Sequence, residues 1–254
     1  MKTLVYCVLI LLTLSCKKTQ PDIVAPEDDT VLAEYPDWYT LKAPVDKQIL
    51  GVWGDRDKTL LITTGYAVFR STDKGSHWQQ VLPQQSVGIV GVVQNQDTLF
   101  TMSGLANQSA GEAYQQVMVH ANNFSIDDGK TWQLYTRRNP LLADIPTYGA
   151  VDKRLLINPV VTSTGTTYKV NRVFVSGSAS SGTYETPGVI TSAGRRIDLP
   201  QLHQIESLYL DNQERLYIAG SDAVCGRGHS GAGFSFCNSK QGRGVVYVSK
   251  YLLP

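Results

Sequence analysis

An excess of charge of either sign is what this chain lacks. Of its 254 residues, 23 are Lys or Arg, 22 are Asp or Glu, and only 18% are charged at all. That balance excludes a polybasic grip on nucleic acid, which draws on clustered cations. Also missing is any apolar run of about 20 residues, the length a helix needs to span a bilayer. The run from Leu4 to Leu14 is eleven residues long. Histidine is scarce, with four residues, and no Ser-His-Asp order stands out along the chain. What is abundant points one way: 22 Gly, 13 Tyr and many Ser and Thr favour strands and turns over helices. With 42% hydrophobic side chains, the chain is too large for a peptide-sized disulfide scaffold and sufficient for one sizeable domain.

Met1-Lys2 makes a minimal positive start, the apolar run follows, and Ser15-Cys16 precedes the polar Lys17-Lys18-Thr19-Gln20. This order predicts a secretory signal over residues 1–15. The segment Thr13-Leu14-Ser15-Cys16 resembles the lipobox of bacterial lipoproteins, with Thr13 where that box usually has Leu. Its continuation Ser-Cys-Lys-Lys is similar to lipoproteins of the Bacteroidota. The resemblance implies cleavage behind Ser15, acylation of Cys16 and attachment to the outer membrane through the N-terminal lipid, on the periplasmic or the surface-exposed side. Several acyl chains on one terminus hold far more firmly than one. Cleavage would also leave 22 basic against 22 acidic residues, so steering by net charge drops out. Residues 16–36, rich in Pro, Asp and Glu with little periodicity, are expected to form a lipidated, flexible tether, and 37–254 the folded domain.

Ser71-Thr72-Asp73-Lys74-Gly75-Ser76-His77-Trp78 and Ser125-Ile126-Asp127-Asp128-Gly129-Lys130-Thr131-Trp132 share the pattern S-x-D-x-G-x-x-W, 54 residues apart. A period of that length predicts a repeat architecture. The side chains of Ser71, Asp73, Ser125 and Asp127 suit bonding to turn amides, Gly75 and Gly129 accept a positive φ, and Trp78 and Trp132 cover the turn. These octets resemble the Asp-box of the bacterial neuraminidase repeat, found in β-propellers of sialidases, xyloglucanases and sortilin-type receptors. The resemblance implies boxes that join the two outer strands of a blade, away from any catalytic centre, and hence a structural role for both.

Strand-like runs recur around the boxes. The first unit has Gln48 to Trp53, Thr59 to Thr63, Ala67 to Arg70 and Trp78 to Leu82; the second has Val87 to Val93, Leu99 to Ser103, Gln116 to Phe124 and Trp132 to Tyr135. The third has Leu155 to Val161, Tyr168 to Val175, Gly188 to Thr191 and Ile197 to Leu199. The fourth offers Ile205 to Leu210, Arg215 to Ala219 and Val245 to Ser249 but no outer strand, and the run Asp37 to Pro44 is spare. Pairing the two termini would protect a bare sheet edge. The expected fold is all-β, a small β-propeller of four blades whose N-terminal strand completes the last. A fifth blade, or a ring completed by dimerisation, is the alternative count.

In such a ring the Asp-boxes share a face with the short turns, and the longer connections 104–115, 136–150, 176–187 and 220–243 share the other. Long loops on a rigid scaffold are where binding concentrates. The candidate ligand-binding residues on that face are Glu112, Tyr114, Arg137, Arg138, Tyr148, Tyr184, Glu185, Arg227 and His229, with Asn107 beside them; Tyr and Arg suit stacking and forked hydrogen bonds. The same residues also read as ordinary loop surface. Cys225 and Cys237 flank a Gly-rich stretch, and in an exported chain they read as a disulfide contributing about 2–3 kcal/mol. Cys225, His229 and Cys237 form only a three-ligand set at an unfamiliar spacing, so no metal is expected. His77 falls inside an Asp-box, His120 on a strand and His203 in a connection between units.

These features favour a non-catalytic module that binds a glycan or an envelope protein, without cofactor. A second reading is a glycoside hydrolase resembling sialidases. Tyr184-Glu185 and Arg137-Arg138 are its nearest raw materials, but the Phe-or-Tyr-Arg-Ile-Pro motif of sialidase domains is absent and the chain is short for their six blades. A third is an assembly or stability factor for another envelope protein, a role some Asp-box propellers resembling this chain have.

Overall fold

The computed structural model describes residues 23–24, 31–110, 113–136, 153–176, 183–226, 235–236 and 244–253. Among them there is no α-helix; apart from one 3₁₀ turn at Lys153–Leu155, every regular element is a strand. Strands β1 (Ile23–Val24) and β2 (Trp38–Lys42) precede β3 (Gly51–Gly54), β4 (Leu60–Thr63), β5 (Val68–Ser71) and β6 (Trp78–Leu82). Next come β7 (Gly91–Asn95), β8 (Thr98–Ala110), β9 (Ala113–Ser125) and β10 (Gln133–Leu134). Then follow β11 (Leu156–Asn158), β12 (Val160–Val161), β13 (Thr167–Ser176), β14 (Thr183–Thr191), β15 (Arg196–Leu210), β16 (Leu216–Gly226), β17 (Ser235–Phe236) and β18 (Val245–Ser249).

All pairings are antiparallel. The first sheet runs β1-β6-β5-β4-β3 and the second β10-β9-β8-β7, with β11 on β9. A third, larger sheet runs β12-β13-β14-β15-β16-β18-β2, with β17 on β16. The N-terminal strand β2 pairs with β18 from Trp38↔Ser249 to Lys42↔Val245, so the chain's two ends share a sheet edge.

Several strands are apolar on both faces, as strands sandwiched between layers must be. In β4, Leu60 and Ile62 pack with Tyr217, Val246 and Val248 on one side, while Leu61 packs with Val92 and Leu99 on the other. In β18 the same alternation sends Val246 and Val248 towards the first sheet, and Val245 and Tyr247 towards Tyr168, Val170 and Val189. A further apolar layer joins Phe100, Met102 and Met118 of the second sheet to Leu155, Leu156 and Ile157.

Three expectations change. Ile197–Leu199 and Ile205–Leu210 are one continuous strand, β15, which links the third and fourth units into a single sheet. Its register slips between Gly188↔Asp198 and Thr186↔His203, at Pro187 and Pro200, neither of which has an N–H to continue the ladder. The connection 104–115 is largely a two-stranded ribbon, paired from Leu99↔Ser125 out to Ala110↔Ala113, and 183–187 and 220–226 likewise belong to β14 and β16. Finally, the expected tether is packed from Val31 onwards. Val31 is buried with Trp38, and Tyr35 exchanges backbone bonds with Trp38 and lies 6.0 Å from the Tyr247 ring. Further upstream, Ile23 and Val24 pair with Gln79 and Trp78.

Candidate functional site

Each Asp-box folds by the same local bonds. Ser71 Oγ accepts from the Gly75 amide at 3.0 Å and donates to Asp73 Oδ1 at 2.8 Å, and Asp73 Oδ1 accepts from the His77 amide at 2.9 Å. Ser125, Asp127, Gly129 and Thr131 repeat this at 3.0, 2.8 and 2.9 Å, and Trp132 Nε1 donates to the Gly129 carbonyl at 3.1 Å. Gly75 and Gly129 stand at φ 83° and 75°, and a Cβ on either would run into Leu41 or Leu61 respectively. Burial pushes the Asp127 carboxyl up, but bonds from Thr131, Ser125 and Lys130 outweigh it and hold Asp127 at about 2. Asp73 is held low in the same way by His77 and Ser71.

The boxes also reach across units. Asp128 accepts from Arg70 at 2.8 Å and from Thr59 at 2.5 Å, and Lys74 lies 3.5 Å from Asp57. Nearby, Arg215 binds Asp55, Asp57 and Asp211 at 2.5, 2.6 and 2.7 Å with only 9% of its side chain exposed. Asp211 is 1% exposed and also accepts from Tyr217 Oη at 3.0 Å. The Arg215 hydrogen bond holds Asp57 below the usual carboxylate range. Arg56 lies 3.8 Å over the Tyr39 ring. This network clamps the β15–β16 turn onto the β3–β4 turn. No local pattern joins Asp55 and Asp57 to Arg215, which lies about 160 positions away along the chain.

The β15–β16 turn, at Asn212, borders a cavity of about 420 Å³ walled by β3, β7, β11, β12 and β15. Its apolar lining includes Val52, Val92, Leu156, Ile157, Val160 and Leu208. An outer pocket of about 230 Å³ shares Trp53, Gln94, Tyr209 and Asn212 with it and adds Asp55, Lys58, Thr59 and Asp128. The cavity thus opens beside the short turns and the second Asp-box. Burial pushes the Tyr209 hydroxyl up to about 12, so it stays protonated and able to donate. Arg154 at the rim donates to Asn95 Oδ1 at 2.8 Å. Chemically the opening offers aromatic faces and amides, while its carboxylates are already engaged by Arg215 and Arg70.

Of the residues expected on the opposite face, only Tyr184 and Glu185 have described side chains. Tyr184 is half-buried, with Phe174 at 5.6 Å and the Arg172 guanidinium 4.8 Å above its ring, whereas Glu185 is buried rather than on a loop surface. Tyr114 is described in backbone only, on β9. Glu112, Arg137, Arg138, Tyr148, Arg227 and His229 lie outside the described residues, as do Cys16 and Cys237; Cys225 is described in backbone only, on β16. His203 sits on β15 rather than in a connection, buried between the Ser221 carbonyl and the Tyr247 hydroxyl, both at 2.8 Å. A second cavity of about 670 Å³ has Tyr66, Lys47, Gln48 and Gln84 around an apolar floor that includes Leu50, Phe69 and Ile89. No group of three metal-binding side chains occurs among the described residues. Neither a known protein family nor a curated protein sequence matches the chain.

Proposed function

We propose that this chain is a lipid-anchored, non-catalytic binding module of the cell envelope, built as a four-bladed propeller that holds its ligand at the centre. The observation carrying this reading is the cavity itself, since its walls come from the first strand of every repeat unit: β3, β7, β11–β12 and β15. Four apolar layers, each between successive units, favour a ring, and the β2–β18 pairing would close it. A binding role suits the opening better than acid–base chemistry because Asp55 and Asp128 are neutralised by buried or partly buried arginines, while Trp53, Tyr209, Gln94 and Asn212 offer stacking and hydrogen bonds.

Two measurements test it. Mass analysis of the mature N-terminus should show acylated Cys16, and Cys16→Ser should release the protein from the membrane; unchanged mass and membrane attachment would overturn the anchor. For the cavity, Gln94→Trp adds bulk at an exposed rim position without touching the core. Labelled domain should bind isolated outer membranes, and Gln94→Trp should abolish that binding. Undiminished binding by the plugged variant would place the site elsewhere.

A further inference from the structure

The charges around the central cavity do not cancel. The two carboxylates of its outer pocket are already bound, Asp55 by Arg215 at 2.5 Å and Asp128 by Arg70 at 2.8 Å. Lys58 lines that outer pocket and Lys153 lines the cavity; both are exposed, and neither ammonium group has an ion pair or hydrogen bond among the described residues. Arg154, which donates to Asn95, adds a third positive charge. Two further acids stand on neighbouring turns, but Asp97 and Glu214 line neither space, and the Glu214 carboxylate accepts from the Ser163 amide. The opening is therefore cationic. Cations without counter-ions beside low-dielectric walls draw in an anion.

Behind that rim the walls are aliphatic. Val52, Val92, Leu156 and Val160 line the cavity and keep 4–9% of their surface exposed, so they are what an occupant meets, whereas the Ser207 hydroxyl is closed off from it. The volume of about 420 Å³ is at the small end of ligand sites, which run from roughly 300 to 1,000 Å³, so the occupant is a small molecule. Among the described residues there is no α-helix whose first amides could cradle a phosphate. A carboxylate asks less. It needs only the free ammonium groups, with the protonated hydroxyl of Tyr209, which lines both spaces, as a further donor.

We infer that the central cavity receives a small organic acid with an aliphatic body, its carboxylate held at the mouth by Lys58 and Lys153. This assignment rests on the reading of the chain as a module that binds at its centre, and it names the ligand class of that site.

The test titrates the mature protein with butanoate, pentanoate and hexanoate, and with hexanamide and hexylamine as the matched neutral and cationic probes, followed by ligand-observed NMR. Hexanoate should bind at least about tenfold more tightly than hexanamide, the difference expected for a charge-assisted bond, and hexylamine should not compete with it. Each added CH₂ should tighten the acid about two- to fourfold, because it leaves water for the cavity. Raising the salt to about 1 M should weaken hexanoate and leave hexanamide unchanged. Lys58→Gln combined with Lys153→Gln should remove most of the advantage of hexanoate without moving the melting temperature, since both side chains are exposed and unpaired. Lys47→Gln, beside the second cavity, should change nothing. The inference is overturned if no acid binds, if hexanoate and hexanamide bind alike, or if the double lysine variant binds hexanoate as tightly as the parent. It is overturned too if affinity ignores chain length, which is the mark of ion pairing at the surface. Should the acids fail while Gln94→Trp still abolishes binding to outer membranes, the module reading stands and only its acid ligand falls. If outer-membrane binding is also absent or insensitive to Gln94→Trp, the central-site reading falls with it.

Discussion

Arg215→Met removes the guanidinium that three carboxylates share while keeping much of the side chain's bulk. Arg215 is 9% exposed and its two more buried counter-ions, Asp211 and Asp55, are 1% and 13% exposed, so the substitution strands two largely buried negative charges; Asp57, at 42%, can turn to water. Breaking a buried pair by removing one partner costs about 3–5 kcal/mol, because the remaining ion keeps its desolvation penalty without compensation. For a domain of this size, with roughly 2–4 °C lost per kcal/mol, the melting temperature should fall by about 6–20 °C. Urea unfolding followed by tryptophan fluorescence measures the free energy directly. A second substitution separates the charge effect from lost packing: in the Arg215→Met background, Asp211→Asn removes the more deeply buried charge but keeps an oxygen for the Gln213 and Arg215 amides, which donate to Asp211 Oδ1 at 2.9 and 3.0 Å, and presents its NH2 as a donor to Tyr217 Oη, which in the parent donates to Asp211 Oδ2 at 3.0 Å. The pair should therefore be less destabilised than the sum of the singles by about 0.5–3 kcal/mol. A loss below about 1 kcal/mol for Arg215→Met, the range of exposed ion pairs, would refute the clamp. So would strict additivity.

Because Val31 and Tyr35 pack onto the core, a chain beginning at Val31, which gives up only the two-residue pairing of β1 with β6, should melt close to the mature protein, whereas one beginning at Val45 exposes the edge of Val245–Ser249 and should aggregate or unfold without cooperativity; equal stability of the two would end the ring-closure proposal. Asp127→Ala should lower stability at neutral pH by about 1–3 kcal/mol through lost turn bonds, and Asp73→Ala by a similar amount. The Asp127 carboxyl sits at about 2 in the fold against 3.8 for the free group, so its contribution is complete above pH 4 and fades as pH falls towards 2. The stability difference between the parent and Asp127→Asn should shrink over that interval, and a difference independent of pH would contradict the assignment.

The Asp-boxes were legible because the bonds that make each turn close within eight residues: Ser71 to Gly75 and Asp73 to His77 need only the local chain, and the same residue types in the same order make the same turn at Ser125–Trp132. The β2–β18 pairing was legible for a related reason, since a spare strand pattern at one end matched a missing one at the other. Tertiary structure decided what depends on residues far apart. Arg215 finds Asp55 and Asp57 only because the β15–β16 and β3–β4 turns lie side by side, and Ser207 lines a cavity only because four separate segments wall it. Nor does a pattern of strand-forming residues say where a ladder slips, so the bulge at Pro187 and Pro200 and the burial of His203 beyond it belong to the folded molecule. Local hydrogen bonding is written in consecutive residues, whereas ion pairs and cavities are set by which turns the core layers press together.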